Sequence, residues 1–180
     1  METAIATTLF WLLAGWLLAD FLTGVLHWLE DRFGAEDWPV LGRLVIAPNR
    51  LHHREPLAFT RTGFWSRNST TMIATLAIGV PLLLLFGPSV MLVTAIIGGS
   101  LANQVHYWAH RPDRAPSIAQ MAQSIGLLQA RNQHSRHHRP PHHRGYCVLT
   151  GWLNPVLDGI GFWALIEKPI PERWFADHVG

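Results

Sequence analysis

The sequence predicts an all-α integral membrane protein, and three observations carry that prediction. Hydrophobic residues make up 49% of the 180-residue chain and charged residues only 14%, against roughly 25% charged in an ordinary soluble domain. The apolar residues collect into three long runs rather than alternating. Eleven histidines, most of them in short-spaced groups, accompany a single cysteine. The expectation is one membrane-embedded domain over residues 1–180 with about three transmembrane helices, interfacial amphipathic helices, and a histidine-rich metal site at the cytoplasmic face.

The first span covers residues 5–28, broken only by Thr7, Thr8, Asp20, Thr23 and a few glycines. It is long enough for a membrane helix, which needs about 20 residues. It has no basic segment before it and no small-residue cleavage site after it, so it reads as a retained span rather than a secretory leader. The second span, 70–86, contains Pro81, which a membrane helix tolerates. Gly87-Pro88 breaks the chain, and residues 89–108 form the third span, so the last two make a tight helical hairpin. Residues 116–130 show apolar positions at helical spacing and predict an interfacial amphipathic helix. Residues 152–166 are apolar but carry Asn154, Pro155 and Asp158. They predict a helix at the interface, with a fourth crossing as the competing assignment. Trp28, Trp108, Trp152 and Trp163 suit a membrane-interface belt.

Three crossings place the histidines. The first span ends at His27, the loop after it holds His52 and His53, and the hairpin returns to the same side with His106 and His110. His134, His137, His138 and His142 follow without another crossing. All fourteen Lys and Arg residues lie between Arg32 and Arg67 or after His110. Positive loops stay cytoplasmic, so this side is the cytoplasm. The basic residues form no run or nucleic-acid motif, which excludes nucleic acid as a partner.

Imidazole is the commonest protein metal ligand, and one ion takes about three or four protein ligands. Nine candidates, His27, His52, His53, His106, His110, His134, His137, His138 and His142, therefore suit two ions. Asp20, Gly24, His27 and Asp31 share one helix face, as do Asn103, His106 and His110. His134, His137 and His138 can share a turn that Pro140 and Pro141 end, leaving His142 to swing back from a loop. Asp20, Asp31 and Asn103 are candidates for supporting the ligands, since an acid near a membrane helix end is costly unless paired. A phosphate-binding surface competes for the His/Arg tract at 134–144. The single Cys147 excludes a thiolate-rich site, and the absence of HExxH and CxxCH argues against a zinc protease and covalent haem. All-imidazole sites suit zinc, copper, iron or nickel.

The motifs Asp20-Phe21-Leu22-Thr23-Gly24-Val25-Leu26-His27-Trp28, His52-His53-Arg54-Glu55-Pro56, Asn103-Gln104-Val105-His106-Tyr107-Trp108-Ala109-His110 and His134-Ser135-Arg136-His137-His138 resemble the Kua/CarF-type lipid desaturase family. Pro141-His142, Tyr146-Cys147 and Thr150-Gly151-Trp152-Leu153-Asn154 extend the resemblance over roughly residues 15–167. That family includes plasmanylethanolamine desaturases and plastid phosphatidylglycerol desaturases. Its pattern often has further histidines where this chain has Thr62 and Gln133, and His143 is an addition.

The resemblance implies a di-iron enzyme, with zinc a possible substitute in purified samples. It would use O2 as co-substrate to place a double bond near the headgroup of a membrane phospholipid, as in vinyl ether formation of the plasmalogen type. It implies a bacterial inner-membrane location. No flavin, nicotinamide or haem motif is present, so electrons are expected from a separate ferredoxin or cytochrome. Gly24, Gly98 and Gly99 suggest that the lipid tail enters between the first and third spans. Arg50, Arg54, Arg136 and Arg139 are candidates for its phosphate. An acyl-chain desaturase, a related di-iron hydroxylase and, more distantly, a metal transporter are the competing functions.

Overall fold

A computed structural model describes residues 1–176, and among these the regular elements are all helices, with no strand. Helix α1 (Glu2–Phe33) has 32 residues, roughly 48 Å at 1.5 Å per residue. Its last turns continue past the apolar run and carry Glu30, Asp31 and Arg32. After a π-helical turn, Pro48 in the first turn of α2 (Ala47–Arg54) sets the helix that carries His52 and His53. Helix α3 (Phe64–Phe86) keeps Pro81 in its interior, and Gly87 ends it at φ 75°. Ser89 then caps α4 (Val90–His110), its hydroxyl accepting from the Leu92 amide. Helices α1 and α3 are each long and apolar enough to cross a bilayer. Helix α4 completes the hairpin, and its last turns turn polar at Asn103, Gln104, His106 and His110.

Helix α4 is the centre of the bundle and packs against both α1 and α3. The contact with α1 is close because Gly98 has no side chain: a Cβ there would lie 2.8 Å from that of Ala19. Gly99 meets Thr75 of α3 in the same way, and Gly24 faces Cys147 rather than α4. Gly98 therefore seats α4 against Ala19 and Trp16 of α1, and the expected lipid entry between these helices is closed there. The open groove lies on the other side, between α1 and α3.

The second half wraps the histidine-bearing ends of α1 and α4. Residues 117–134 form two short helices, α5 (Ser117–Ser124) and α6 (Arg131–His134), in place of one continuous helix. The 152–166 segment also divides, into α7 (Leu153–Gly159) and α8 (Phe162–Glu167), because Gly161 adopts φ 65°. Neither piece is long enough for a fourth crossing. Between them, Tyr146 to Thr150 is an extended, buried strip laid against α1. Its backbone is satisfied by side chains: Asn154 spans both polar groups of Cys147, and Gln129 donates to the Cys147 carbonyl at 2.6 Å. The Asp20 carboxylate accepts from the Leu149 amide at 2.8 Å and the Thr150 hydroxyl at 2.5 Å. These donors offset the cost of a carboxylate in an apolar helix. They also occupy it, so Asp20 fastens the strip instead of supporting a histidine. The far end of α1 is tied by Arg32, which pairs with Glu167 at 2.7 Å while the Trp28 indole donates to the same carboxylate.

Candidate metal centre

Eight of the nine candidate histidines converge in two adjoining groups. His52, His106, His110, His134 and His138 place ligand atoms within 4.8 Å of one another, and so do His27, Asp31, His53 and His137. The two adjacent pairs, His52-His53 and His137-His138, each split between the groups, because neighbouring residues on a helical turn point about 100° apart. The i, i+4 pairs do the opposite: His106 with His110, and His134 with His138, each serve one group.

The spacing within the groups fits shared ions. Two nitrogens about 2.1 Å from one ion and at right angles to each other lie about 3.0 Å apart. In the five-histidine group, the Nε2 atoms of His106 and His134 are 2.8 Å apart, those of His110 and His106 3.2 Å, and those of His138 and His134 2.9 Å. In the second group, Asp31 Oδ1 lies 3.1 Å from His53 Nε2, and Asp31 Oδ2 lies 3.3 Å from His137 Nε2. His27 Nε2 and both nitrogens of His52 are buried with no hydrogen-bond partner, a costly state for polar atoms unless an ion takes them up. Burial, reinforced by neighbouring imidazoles, holds His52, His134 and His138 far below the ordinary histidine range. They are therefore neutral and able to ligate. The residues present fit two metal ions, one held by five imidazoles and one by three imidazoles and a carboxylate.

Outer contacts orient several of these rings. His27 Nδ1 is 3.1 Å from the Tyr146 carbonyl and His137 Nδ1 is 2.8 Å from that of Arg144, which leaves each Nε2 free for an ion. The Asn49 amide donates to Asp31 at 2.6 Å. The Asp31 carboxylate thus faces the same point as His27, His53 and His137 and could itself ligate, where the sequence offered it as a support for the ligands. His142 stands outside both groups: its Nδ1 lies 2.9 Å from the His137 carbonyl and 3.4 Å from His53 Nδ1. Asn103 donates to the Arg67 carbonyl, not to a histidine. Thr62 lines a nearby cavity, Gln133 caps α6 through the Ala130 amide, and His143 meets Arg32 at 3.0 Å.

Residues 16–175 match the lipid desaturase domain family. The chain belongs to that family. It is 35% identical over 172 residues to mouse plasmanylethanolamine desaturase 1, covering 87% of this chain and 62% of the mouse protein. It is 32% identical over 165 residues to plasmanylethanolamine desaturase of Myxococcus xanthus, covering 88% and 58%. It is 35% identical over 150 residues to the chloroplastic fatty acid desaturase 4 of Arabidopsis thaliana, covering 81% and 46%. The chain thus spans about half to three-fifths of the length of these relatives. No solved structure matches it.

In this lipid desaturase domain a cavity of about 400 Å³ runs from the groove between α1 and α3 to the histidines. Its inner end is formed by His27, His52 and His106, and Ala74, Ala102 and Val148 line its apolar part. Phe59 packs on the rings of His52 and His106 with centroids 4.6 and 4.8 Å away. Phe59, Asn49 and Arg67 were not foreseen. Only Arg67 left a signal, as a lone charge at the start of an apolar run. Of the arginines expected to grip phosphate, Arg50 is engaged with the Gly34 carbonyl, while Arg54, Arg136 and Arg139 are exposed away from the cavity lining.

Proposed function

We propose that this chain is a membrane lipid desaturase that holds two iron ions and removes two hydrogens from a phospholipid chain close to its headgroup. The observation that carries this is the apolar cavity ending on His27, His52 and His106. A cavity of this kind suits a hydrocarbon segment brought to a metal pair. With iron bound, the centre would supply the oxidising power of O2 that breaking an unactivated C–H bond requires, which no side chain here possesses.

The chain's own residues supply binding, orientation and dryness. His52, His106, His110, His134 and His138 would hold one ion, and His27, Asp31, His53 and His137 the other. Phe59 and the buried strip at 146–150 cover the rings and keep water off the chain to be oxidised. The two hydrogens leaving the lipid, with two electrons from a separate ferredoxin or cytochrome and two protons from solvent, would reduce O2 to two waters. Zinc in a purified sample would occupy the same imidazoles.

The apolar side chains exposed along α1 and α3, among them Leu9, Phe10, Leu84 and Phe86, suit contact with lipid. If α3 crosses the bilayer, the Gly87-Pro88 turn sends α4 back, giving three crossings. The distribution of Lys and Arg then puts the histidines on the cytoplasmic side, which in a bacterium is that of the inner membrane. The names of the relatives favour an alkyl ether lipid as substrate, giving a vinyl ether, with an acyl chain as the second case.

The test is lipid mass spectrometry of cells expressing the wild type beside His137→Ala, with and without supplied alkyl ether lipid. A species two hydrogens lighter, absent in the variant and acid-labile, is the expected result. A species one oxygen heavier would replace desaturation with hydroxylation. No change in the lipids, with two irons and a reductant present, would remove the proposal.

A further inference from the structure

The cavity has a second end. On α3, Ser66 and Thr70 lie one turn apart on one row, and Arg67 and Thr71 on the next, and all four line it. Arg67 is the only cation among its lining residues. Its Nη1 donates to the Thr62 carbonyl at 2.7 Å and its Nη2 to Gln104 Oε1 at 3.3 Å. Its guanidinium lies 3.9 Å from the centroid of the Tyr107 ring. All these partners are neutral. Among the described residues no carboxylate comes within 4.0 Å of Arg67, and its Nε is buried with no hydrogen-bond partner. Glu30, the acid in the cavity lining, makes no ion pair with Arg67, so a guanidinium with a donor left over and no carboxylate in contact has room for an anion.

We propose that Arg67 is the anchor for the phosphate diester of the lipid substrate, with the Ser66 and Thr70 hydroxyls beside it. The assignment rests on the desaturase reading for the identity of the lipid. The phosphate suits the residue because a planar guanidinium donates along fixed directions to phosphate oxygens. The location suits the chemistry. Asn103 donates to the Arg67 carbonyl at 2.8 Å, and His106 follows three residues later, about 4.5 Å along the α4 axis. The guanidinium itself lies over the ring of Tyr107, the residue after His106, so a phosphate held there would bring the first carbons of a lipid chain nearest the histidines. The position of Arg67 thereby determines that the bond is made next to the headgroup.

The experiment is equilibrium binding by the full-length, metal-loaded protein in a maltoside detergent, without O2 or reductant. The probes are a fluorescent alkyl-acyl glycerophospholipid and the same lipid lacking its phosphate headgroup. Wild type is expected to prefer the phospholipid by about 10- to 100-fold, the range for a hydrogen bond to a charged group. Arg67→Gln should erase that preference while metal content and melting temperature stay unchanged. Arg67→Lys, which keeps the charge without the Nε donor, should lose about 3- to 10-fold. Preference retained in folded Arg67→Gln overturns the assignment. If that variant does not fold, parity of Arg67→Lys with wild type overturns it. Displacement of the phospholipid by an equal concentration of inorganic phosphate would make this a free-phosphate site and overturn the lipid assignment. Since no turnover is involved, an Arg67-dependent preference in a protein that desaturates nothing would remove the desaturase reading and leave the binding site standing.

Discussion

The two histidine groups share helices and a boundary, yet they are held in different ways. In the group of His27, Asp31, His53 and His137, the outer atoms are tied: His27 and His137 face backbone carbonyls, and Asp31 takes a hydrogen bond from Asn49. In the group of five, His52 has neither nitrogen bonded, and the Nδ1 atoms of His134 and His138 are also without partners. Packing holds these rings instead, with His52 4.6 Å from each of Phe59, His106, His110 and His138. A tied imidazole has its tautomer and direction settled before the ion arrives. An untied one is oriented by its neighbours and by the ion. One group therefore relies on fixed direction with few ligands, and the other on surplus ligands.

The largest expected effect is at His137. Its removal leaves two histidines and Asp31, and frees the Arg144 carbonyl. His137→Ala should lose one of two ions and lower product formation by about 100-fold or more, since loss of an outer contact to a ligand already costs about 10- to 100-fold. His134→Ala leaves four imidazoles and should keep both ions, with one bound about 10-fold more weakly. Metal analysis after dialysis against a graded chelator measures both. Equal losses in the two variants would show that surplus ligands give no protection, and the contrast between the groups would disappear.

How much of this was legible can be argued residue by residue. The three apolar runs became α1, α3 and α4 because length and composition alone define them. Counting three crossings led to the expectation that the histidines converge, and eight of the nine do meet. The division into two groups was not legible, since spacing tells which way a side chain points around its own helix but not which of two neighbouring ions it meets. Asp20 and Asp31 look equivalent on one helix face. Only the strip at 147–150, brought against α1 by a contact some 130 residues away, separates a fastening carboxylate from a ligating one. The α1–α4 seam closed for the same kind of reason: small residues permit either a lipid or a helix to approach, and here Ala19 and Trp16 fill the space. Arg67 stood out only once Thr62, Gln104 and Tyr107 were seen to leave it without a counterion.

A smaller effect sharpens the tied side of the comparison. Asn49→Ala removes the amide donor to Asp31 Oδ1 without touching an imidazole. It should weaken the ion of that group about 10-fold and leave the five-histidine ion unchanged, since loss of such a supporting contact typically costs about 10-fold or more. Weakening of both ions together would mean that the groups bind as one unit.

The smallest effect is expected at His142, the candidate that neither group takes up. Its backbone is left-handed at φ 60°, a conformation that costs a residue with a side chain about 1 kcal/mol or more. The turn directs its Nδ1 to the His137 carbonyl at 2.9 Å. His142→Ala removes that bond and the longer 3.4 Å contact with His53 Nδ1, neither of them to a ligating Nε2, so both ions should remain and their affinities should change by about 3-fold or less. His142→Gly should do the same to the metals while raising stability relative to His142→Ala by about 0.5–1 kcal/mol, because glycine accepts the left-handed backbone without a penalty. Chelator titration and thermal melting of the pair separate the two effects. Loss of an ion in His142→Ala would show that the ring moves onto the second centre when metal binds. That centre would then hold four imidazoles beside its carboxylate, and the difference in ligand number between the two groups would be gone.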